Sequence, residues 1–248
     1  MAKQTGLGDR LYVGGYNLSG DTGSIGLIGG GPTPAEVTGI DVSAFERIAG
    51  RFDAGIEWSS WFNPTTLRAH DRYSDLLTTA QHYLYTRGSA IGSAAAGMVG
   101  KQPDYSGSRG DDGSLTFALT AMPSEGYGLE WGRLHTAASR TDTTATNGAG
   151  VDGVTSSAYG ITAYLQVLGL TGTSVTVTLQ ESSDNGAGDA FAAVVGGAFV
   201  AATARGAQRI QTSRTLTVER YLRVVTSGTF TSAEFLVSVV RRAESSAF

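Results

Sequence analysis

Cysteine is absent from the 248 residues. This excludes disulfides and thiolate-held metals, so stability has to come from an apolar core and from interfaces. Histidine is nearly absent too: His70, His82 and His135 are the three in the chain, and no two stand at the H-x-x-x-H spacing that puts a metal pair on one helix face. Charged residues make up 16%, well below the quarter or more expected of a freely soluble surface. The shortfall implies that partners cover much of the exterior. No apolar run approaches the roughly 18 residues of a membrane span, so no membrane insertion is expected. The opening MAKQTGLGDR also lacks the apolar core of an export signal. A product made and held in the cytoplasm until something releases it is the expectation.

The charge that is present is unevenly placed. Net charge is −4; residues 1–130 hold 9 basic and 14 acidic side chains, net −5, and the remainder hold 9 and 8, net +1. A nucleic-acid binder draws its affinity from neutralised phosphates and shows a basic stripe. This chain has none.

Glycine is abundant, at 35 residues, alongside much serine and threonine. That composition suits many short strands joined by turns that need positive φ. Period-2 patterning places strands at Arg10–Leu18, interrupted at Gly14-Gly15, then at Ser24–Ile28, Gln81–Arg87 and Ser114–Met122. The later half reads as strand after strand: Ala158–Leu168, Ser174–Glu181, Phe191–Ala201, Gln208–Thr212, Glu219–Thr226 and Thr231–Arg241, with turn signals at Gly169–Gly172, Asp184–Gly188 and Ser227-Gly228. The predicted class is all-β and mainly antiparallel: a β-sandwich or barrel with one flanking helix, then a second, jelly-roll-like sandwich. The segment 137–153, rich in Ala, Thr, Gly and Asp, is read as a linker between domains 1–136 and 154–248.

The stretch Glu36–Pro64 organises the first domain. Glu36–Ile40 reads as a short extended run pairing with a longer one, Arg51–Phe62, and the triple glycine Gly29-Gly30-Gly31 before Pro32 reads as a break. In the longer run Phe52, Ala54, Ile56, Trp58, Ser60 and Phe62 share one parity, predicting a core face. Asp53 and Glu57 fall on the opposite face. Asn63-Pro64 then opens a predicted helix ending near Leu77, since proline suits the first helical turn.

Signatures of chemistry are weak. The triple glycine is followed by no Lys-Ser/Thr, so it is not a phosphate loop, and there is no G-x-S-x-G elbow. No enzyme and no cofactor are expected. Asp184, Asn185 and Asp189 cluster oxygens on a glycine-rich turn, as a calcium site would, without the alternating ligands and closing Glu of an EF-hand. Asp, Asn and Gly are also the ordinary hairpin-turn residues, which makes a plain turn the favoured reading. Arg109-Gly110-Asp111 spells an integrin-recognition tripeptide, too short to weigh. Tyr127, Trp131, Tyr159 and Tyr164 would serve a core, an interface or a sugar platform.

The motifs MAKQTGLGDRLYVGGYNLSGD, VTGIDVSAFERI, FDAGIEWSSWFNP and DDGSLTFALTA together resemble the major tail tube proteins of long-tailed bacteriophages, in the style found among phages of actinobacteria. The likeness spans roughly residues 5–130. TVTLQESSDNGAGDAFAAVVGG and ERYLRVVTSGTF in the later half are similar to jelly-roll modules appended to phage structural proteins. The resemblance implies a virion protein whose β-sandwich subunits self-assemble into stacked, usually hexameric rings. Its partners would then be itself and other tail proteins such as tape measure, terminator and distal tail proteins, with viral DNA passing through unbound. On this reading Asp53 and Glu57 face the lumen, and Lys3, Leu7, Lys101, Tyr105 and Arg109 contact stacked rings or neighbouring subunits. The alternative is a capsid-decorating or adhesin-type glycan-binding protein using Trp131 and Tyr159.

Overall fold

A computed structural model describes residues 5–76 and 78–242. The strands in chain order are β1 (Arg10–Val13), β2 (Tyr16–Asn17), β3 (Thr22–Glu36), β4 (Arg47–Trp61), β5 (Gln81–Thr86), β6 (Ala94–Lys101), β7 (Ser106–Arg109), β8 (Leu115–Pro123), β9 (Leu129–Leu134), β10 (Arg140–Asp142), β11 (Val151–Asp152), β12 (Ile161–Ser182), β13 (Ala192–Ala198), β14 (Gly206–Gln211) and β15 (Tyr221–Arg241). One short helix, α1 (Ala69–Tyr73), sits between β4 and β5. All strand pairings are antiparallel. The all-β class expected from the glycine-rich, period-2 sequence is the observed one.

Two long strands dominate the later half. β12 and β15 pair from Ile161↔Arg241 to Ser182↔Tyr221, and β15 also takes β9, β10 and β11 as partners. Residues from both ends of this ribbon, Ala163 and Leu165 as well as Val177 and Leu179, enter one buried cluster with Phe235 and Val237. The ribbon therefore folds across its own core. Its bend is where the sequence predicted turns. Gly172 and Gly228 have φ of 140° and 123°, and the register slips between Val167 and Gly169 and again on either side of Gly172. Bulges bend and twist a paired strand without ending it. Gly169–Gly172 and Ser227-Gly228 are thus bends within two continuous strands.

The segment 137–153 carries β10 and β11, both laid against β15. A second buried cluster forms around Trp58, Tyr73, Tyr83 and Met98. A third, with Tyr12, Leu84, Leu134, Tyr164 and Leu236, joins strands from both halves of the chain.

Three local expectations are corrected. The strand opposite β4 is β3, not Glu36–Ile40: the pairs run from Thr22↔Ser60 to Glu36↔Arg47, and residues 37–46 form the tip. The triple glycine does not break the pattern. It lies inside β3, where Gly30, at φ 151°, crosses so close to β4 that a Cβ would come within 2.3 Å of the Asp53 carbonyl oxygen. The helix is five residues long and begins five residues after Pro64. Leu67, at φ 67°, interrupts any helix from Pro64, and its N–H is held by Asp71 Oδ2 at 2.8 Å. The buried Asp21 fixes the segment instead, accepting from Asn63 Nδ2 at 2.8 Å and from the Ala69 N–H at 3.1 Å. Leu77 lies outside the described residues.

Candidate assembly surface

The hairpin of β3 and β4 has two unlike halves. Near its base β8 adds a third strand, pairing Ile56–Trp61, and here the period-2 reading holds: Ile56, Trp58 and Ser60 are buried while Glu57 is exposed. Trp58 sits between Tyr73 and Tyr83, with ring centroids 5.5 and 6.0 Å away. Beyond Ile56 no third strand continues among the described residues. Seven register steps, from Gly29↔Gly55 to Glu36↔Arg47, carry a two-stranded arm roughly 25 Å outward at about 3.3 Å per residue. Phe52, expected in the core, falls on this arm and is exposed. Phe62, just past the strand, is exposed as well.

The arm is apolar where it is bare. Val37, Ile40, Val42, Phe45, Ile48 and Phe52 are all exposed, Ile40 and Phe45 at 109% and 68%. A two-stranded ribbon has marginal stability alone, and each of its edges offers unpaired N–H and C=O groups to another strand. Contiguous exposed apolar surface of this kind marks an interaction site.

Asp53 and Glu57 lie on the exposed face of β4. They share an open groove of about 470 Å³ with Leu27, the glycine triplet and Met122. The structure thus brings the two carboxylates to one surface.

The other expected contact residues are scattered. Leu7 is 89% exposed, beside an anchor in which Asp9 takes Arg87 Nη1 at 2.8 Å and the Tyr85 hydroxyl at 2.5 Å. Lys101 and Arg109 are exposed. Tyr105 is half-buried, stacked on Phe117 at 4.0 Å and bonded through its hydroxyl to His70 Nδ1 at 2.9 Å. Lys3 lies outside the described residues.

Asp184, Asn185 and Asp189 form a closed turn. Asp184 Oδ1 accepts from the Ala187 N–H at 3.0 Å and Oδ2 from the Gly188 N–H at 2.5 Å, while Asp189 Oδ2 accepts from the Ser183 N–H at 2.8 Å. Partial desolvation would raise the Asp184 carboxyl, but backbone N–H groups outweigh it and hold it below the ordinary carboxylate range. These oxygens are committed to the chain's own backbone. Among the described residues no group of three or more His, Asp or Glu side chains is arranged to hold a metal.

Trp131 is half exposed and Tyr159 half-buried. Trp131 lines a cleft of about 400 Å³ with His135, Asp152, Gly153 and Arg241; Tyr159 does not. Tyr164 is fully buried and donates to Glu130 Oε2 at 2.6 Å. Sequence reasoning missed His135 and Arg241, which stand far apart in the chain. It also missed that the apolar residues of VTGIDVSAFERI are uncovered, although their pattern was visible.

No protein-family model matches the chain, and no curated protein matches it. Among solved structures, it is similar to a chain in the tail of an empty GTA particle with C6 symmetry, at 12% identity over 42% of this chain and 78% of that one, TM-score 0.35. A second is the SPP1 Dit protein, described as a paradigm of the hub adsorption apparatus in phages infecting Gram-positive hosts: 11% identity, 94% and 98% of the two chains, TM-score 0.34. A third is a chain of the phage P2 baseplate in its activated conformation with Ca: 11% identity, 95% and 98%, TM-score 0.37. Likenesses of this depth establish neither fold nor function for this chain.

Proposed function

We propose that this protein is a structural, non-enzymatic subunit of a phage tail that self-assembles into rings stacked as a tail tube. The observation that carries the reading is the arm of β3 and β4, whose apolar residues are largely exposed and which, beyond Ile56, pairs with no third strand among the described residues. Strand pairing with a neighbouring copy would satisfy the backbone groups of the arm and bury Val37, Ile40 and Phe45 together. The motifs resembling tail tube proteins include the arm's tip and its second strand, and the low charge content suits a chain whose surface is largely shared with copies of itself.

Asp53 and Glu57 supply the sign a DNA conduit needs, because carboxylates repel phosphates where lysines would hold them. In a ring they would be repeated once per subunit, facing the channel. Tape measure, terminator and distal tail proteins are the partners this reading implies, with 1–136 as the tube domain and 154–248 as the added one. Negative-stain electron microscopy of the purified full chain tests it. Rings or tubes are expected; a protein that stays monomeric under all conditions rules the reading out.

A further inference from the structure

The cleft beside Trp131 contains polar groups that the fold leaves unsatisfied. His135 is 6% exposed. Its Nδ1 lies 3.1 Å from the Arg133 carbonyl oxygen; a carbonyl only accepts, so Nδ1 carries the proton and Nε2 presents a lone pair. That Nε2 is shielded from solvent and has no partner. Arg241 donates from Nη2 to the carbonyls of Glu219 and Arg220 at 2.8 and 2.7 Å, yet its Nε and Nη1 are also shielded and without a partner. Buried polar groups are nearly always paired, and one left without a partner is destabilising. Three such atoms belong to two residues that line one cleft; a similar trio, on Trp58, Tyr73 and Tyr83, lies within a buried core cluster and carries no charge.

The surroundings say what would satisfy them. Arg241 needs an acceptor, and His135 needs a donor. The lining carries two cations, Arg133 and Arg241, against one carboxylate, Asp152, and Asp152 is already paired with Arg220 at 2.6 Å. Asp152 and Glu181 act on Arg241 only through space, with no hydrogen bond to its Nε or Nη1. The remaining wall is the indole of Trp131, half exposed and set edge-on against Tyr85 at 6.2 Å. A flat aromatic face of this kind packs the apolar C–H face of a ring. Gly153 keeps the guanidinium in place, since a Cβ there would come within 2.4 Å of Arg241 Nε.

We propose that this cleft binds an acidic sugar residue: its carboxylate on Arg241, a hydroxyl donating to His135 Nε2 and its ring stacked on Trp131. A volume of about 400 Å³ falls within the range of small-ligand sites and accommodates a single pyranose. The site stands whether or not the chain forms tubes, because every group in it comes from one copy.

Calorimetric titration of the full chain with glucuronate, galacturonate and N-acetylneuraminate tests the proposal, with glucose as the uncharged ring and acetate as the ringless anion. At least one acid sugar is expected to bind saturably, with glucose and acetate weaker by about tenfold or more. Trp131→Ala, at an exposed position, should fold and lose about tenfold in affinity. Arg241→Lys, which keeps charge but not the fork, should weaken the carboxylate and leave glucose unchanged. Absence of saturation for all three acids up to roughly 20 mM, acetate binding as tightly as the sugars, or affinity unchanged by Trp131→Ala would each overturn it. Should Arg241→Lys fail to fold, the Trp131 variant and the acetate control still decide.

Discussion

Gly97 on β6 lies against the ring of Tyr164 on β12: a Cβ added to Gly97 would come within 2.5 Å of both Cδ2 and Cε2 of that ring. The contact joins a strand of the earlier half of the chain to the long ribbon of the later half. Tyr164 cannot yield easily, because it is fully buried and its hydroxyl is held by Glu130 at 2.6 Å. Gly97→Ala should therefore destabilise by about 1–3 kcal/mol, the usual cost of forcing a methyl into a packed core. Chemical denaturation reads this directly. A midpoint equal to that of the unsubstituted protein would show that the ring has room to move.

Glu130 is the hub of the same junction. It accepts from Arg209 Nε and Nη2 at 2.8 and 2.9 Å and from Arg242 Nη2 at 3.1 Å, in addition to Tyr164. The three charged side chains are 6–16% exposed. Removing one member of a buried ionic cluster strands the others without compensation. Glu130→Ala should cost about 3–5 kcal/mol, and Glu130→Gln, which keeps the acceptor oxygen but not the charge, should cost less. Equal losses for the two substitutions would mean that packing rather than charge holds the junction.

How much of this was legible in the sequence depended on whether the signal was local. β5 and β8 were placed to within a residue or two because alternation over six to nine residues is a property of the strand itself. In sequence the bends at Gly172 and Gly228 look like turns, because a glycine at positive φ has the same signature in a turn and in a bulge. Only the pairing of β12 with β15, some 60 residues apart, distinguishes them. The helix was overextended because Leu67, Tyr73 and Leu76 have helical spacing, while Asp21, which pins the segment, lies far upstream. For the candidate surface, the apolar pattern of residues 37–48 could be seen in sequence, but that nothing covers it could not. His135 and Arg241 meet only through β9 and β15, and no spacing rule joins them.

His135 gives the protein an acid sensitivity with a defined sign. Burial, with the charges of Arg241 and Arg133 adding to it, pushes its imidazole down to about 4 despite the hydrogen bond to the Arg133 carbonyl. In the unfolded chain it titrates near 6.5. Between those values the unfolded state takes up a proton that the folded state refuses, so stability falls as pH drops through this window. Its contribution is fully present above about pH 6.5, and the total loss is about 3 kcal/mol. Urea midpoints between pH 7 and pH 4.5 should decline less steeply in His135→Asn, which retains a donor for the Arg133 carbonyl but does not titrate. Parallel declines in the two proteins would assign the acid sensitivity to other groups.

If the chain assembles as proposed, the arm offers a way to separate folding from assembly. Ile40 and Phe45 are exposed at its tip, remote from the cluster around Trp58 and Tyr83 that stabilises the base. Phe45 lies under the Arg47 guanidinium at 5.0 Å, an exposed contact that a glutamate can replace with an ion pair; exposed substitutions of this kind change stability by no more than about 0.5 kcal/mol. Ile40→Glu combined with Phe45→Glu should therefore leave the thermal midpoint of the monomer nearly unchanged. The same pair of carboxylates would have to be desolvated wherever the tip packs against another copy, and an unpaired buried charge is not tolerated there. Rings and tubes should be lost from electron micrographs while the circular dichroism spectrum stays that of the native protein. Tubes that persist in the double variant would remove the tip from the interface and shift attention to the open edges of β3 and β4. A monomer that unfolds would show instead that the tip packs on its own chain.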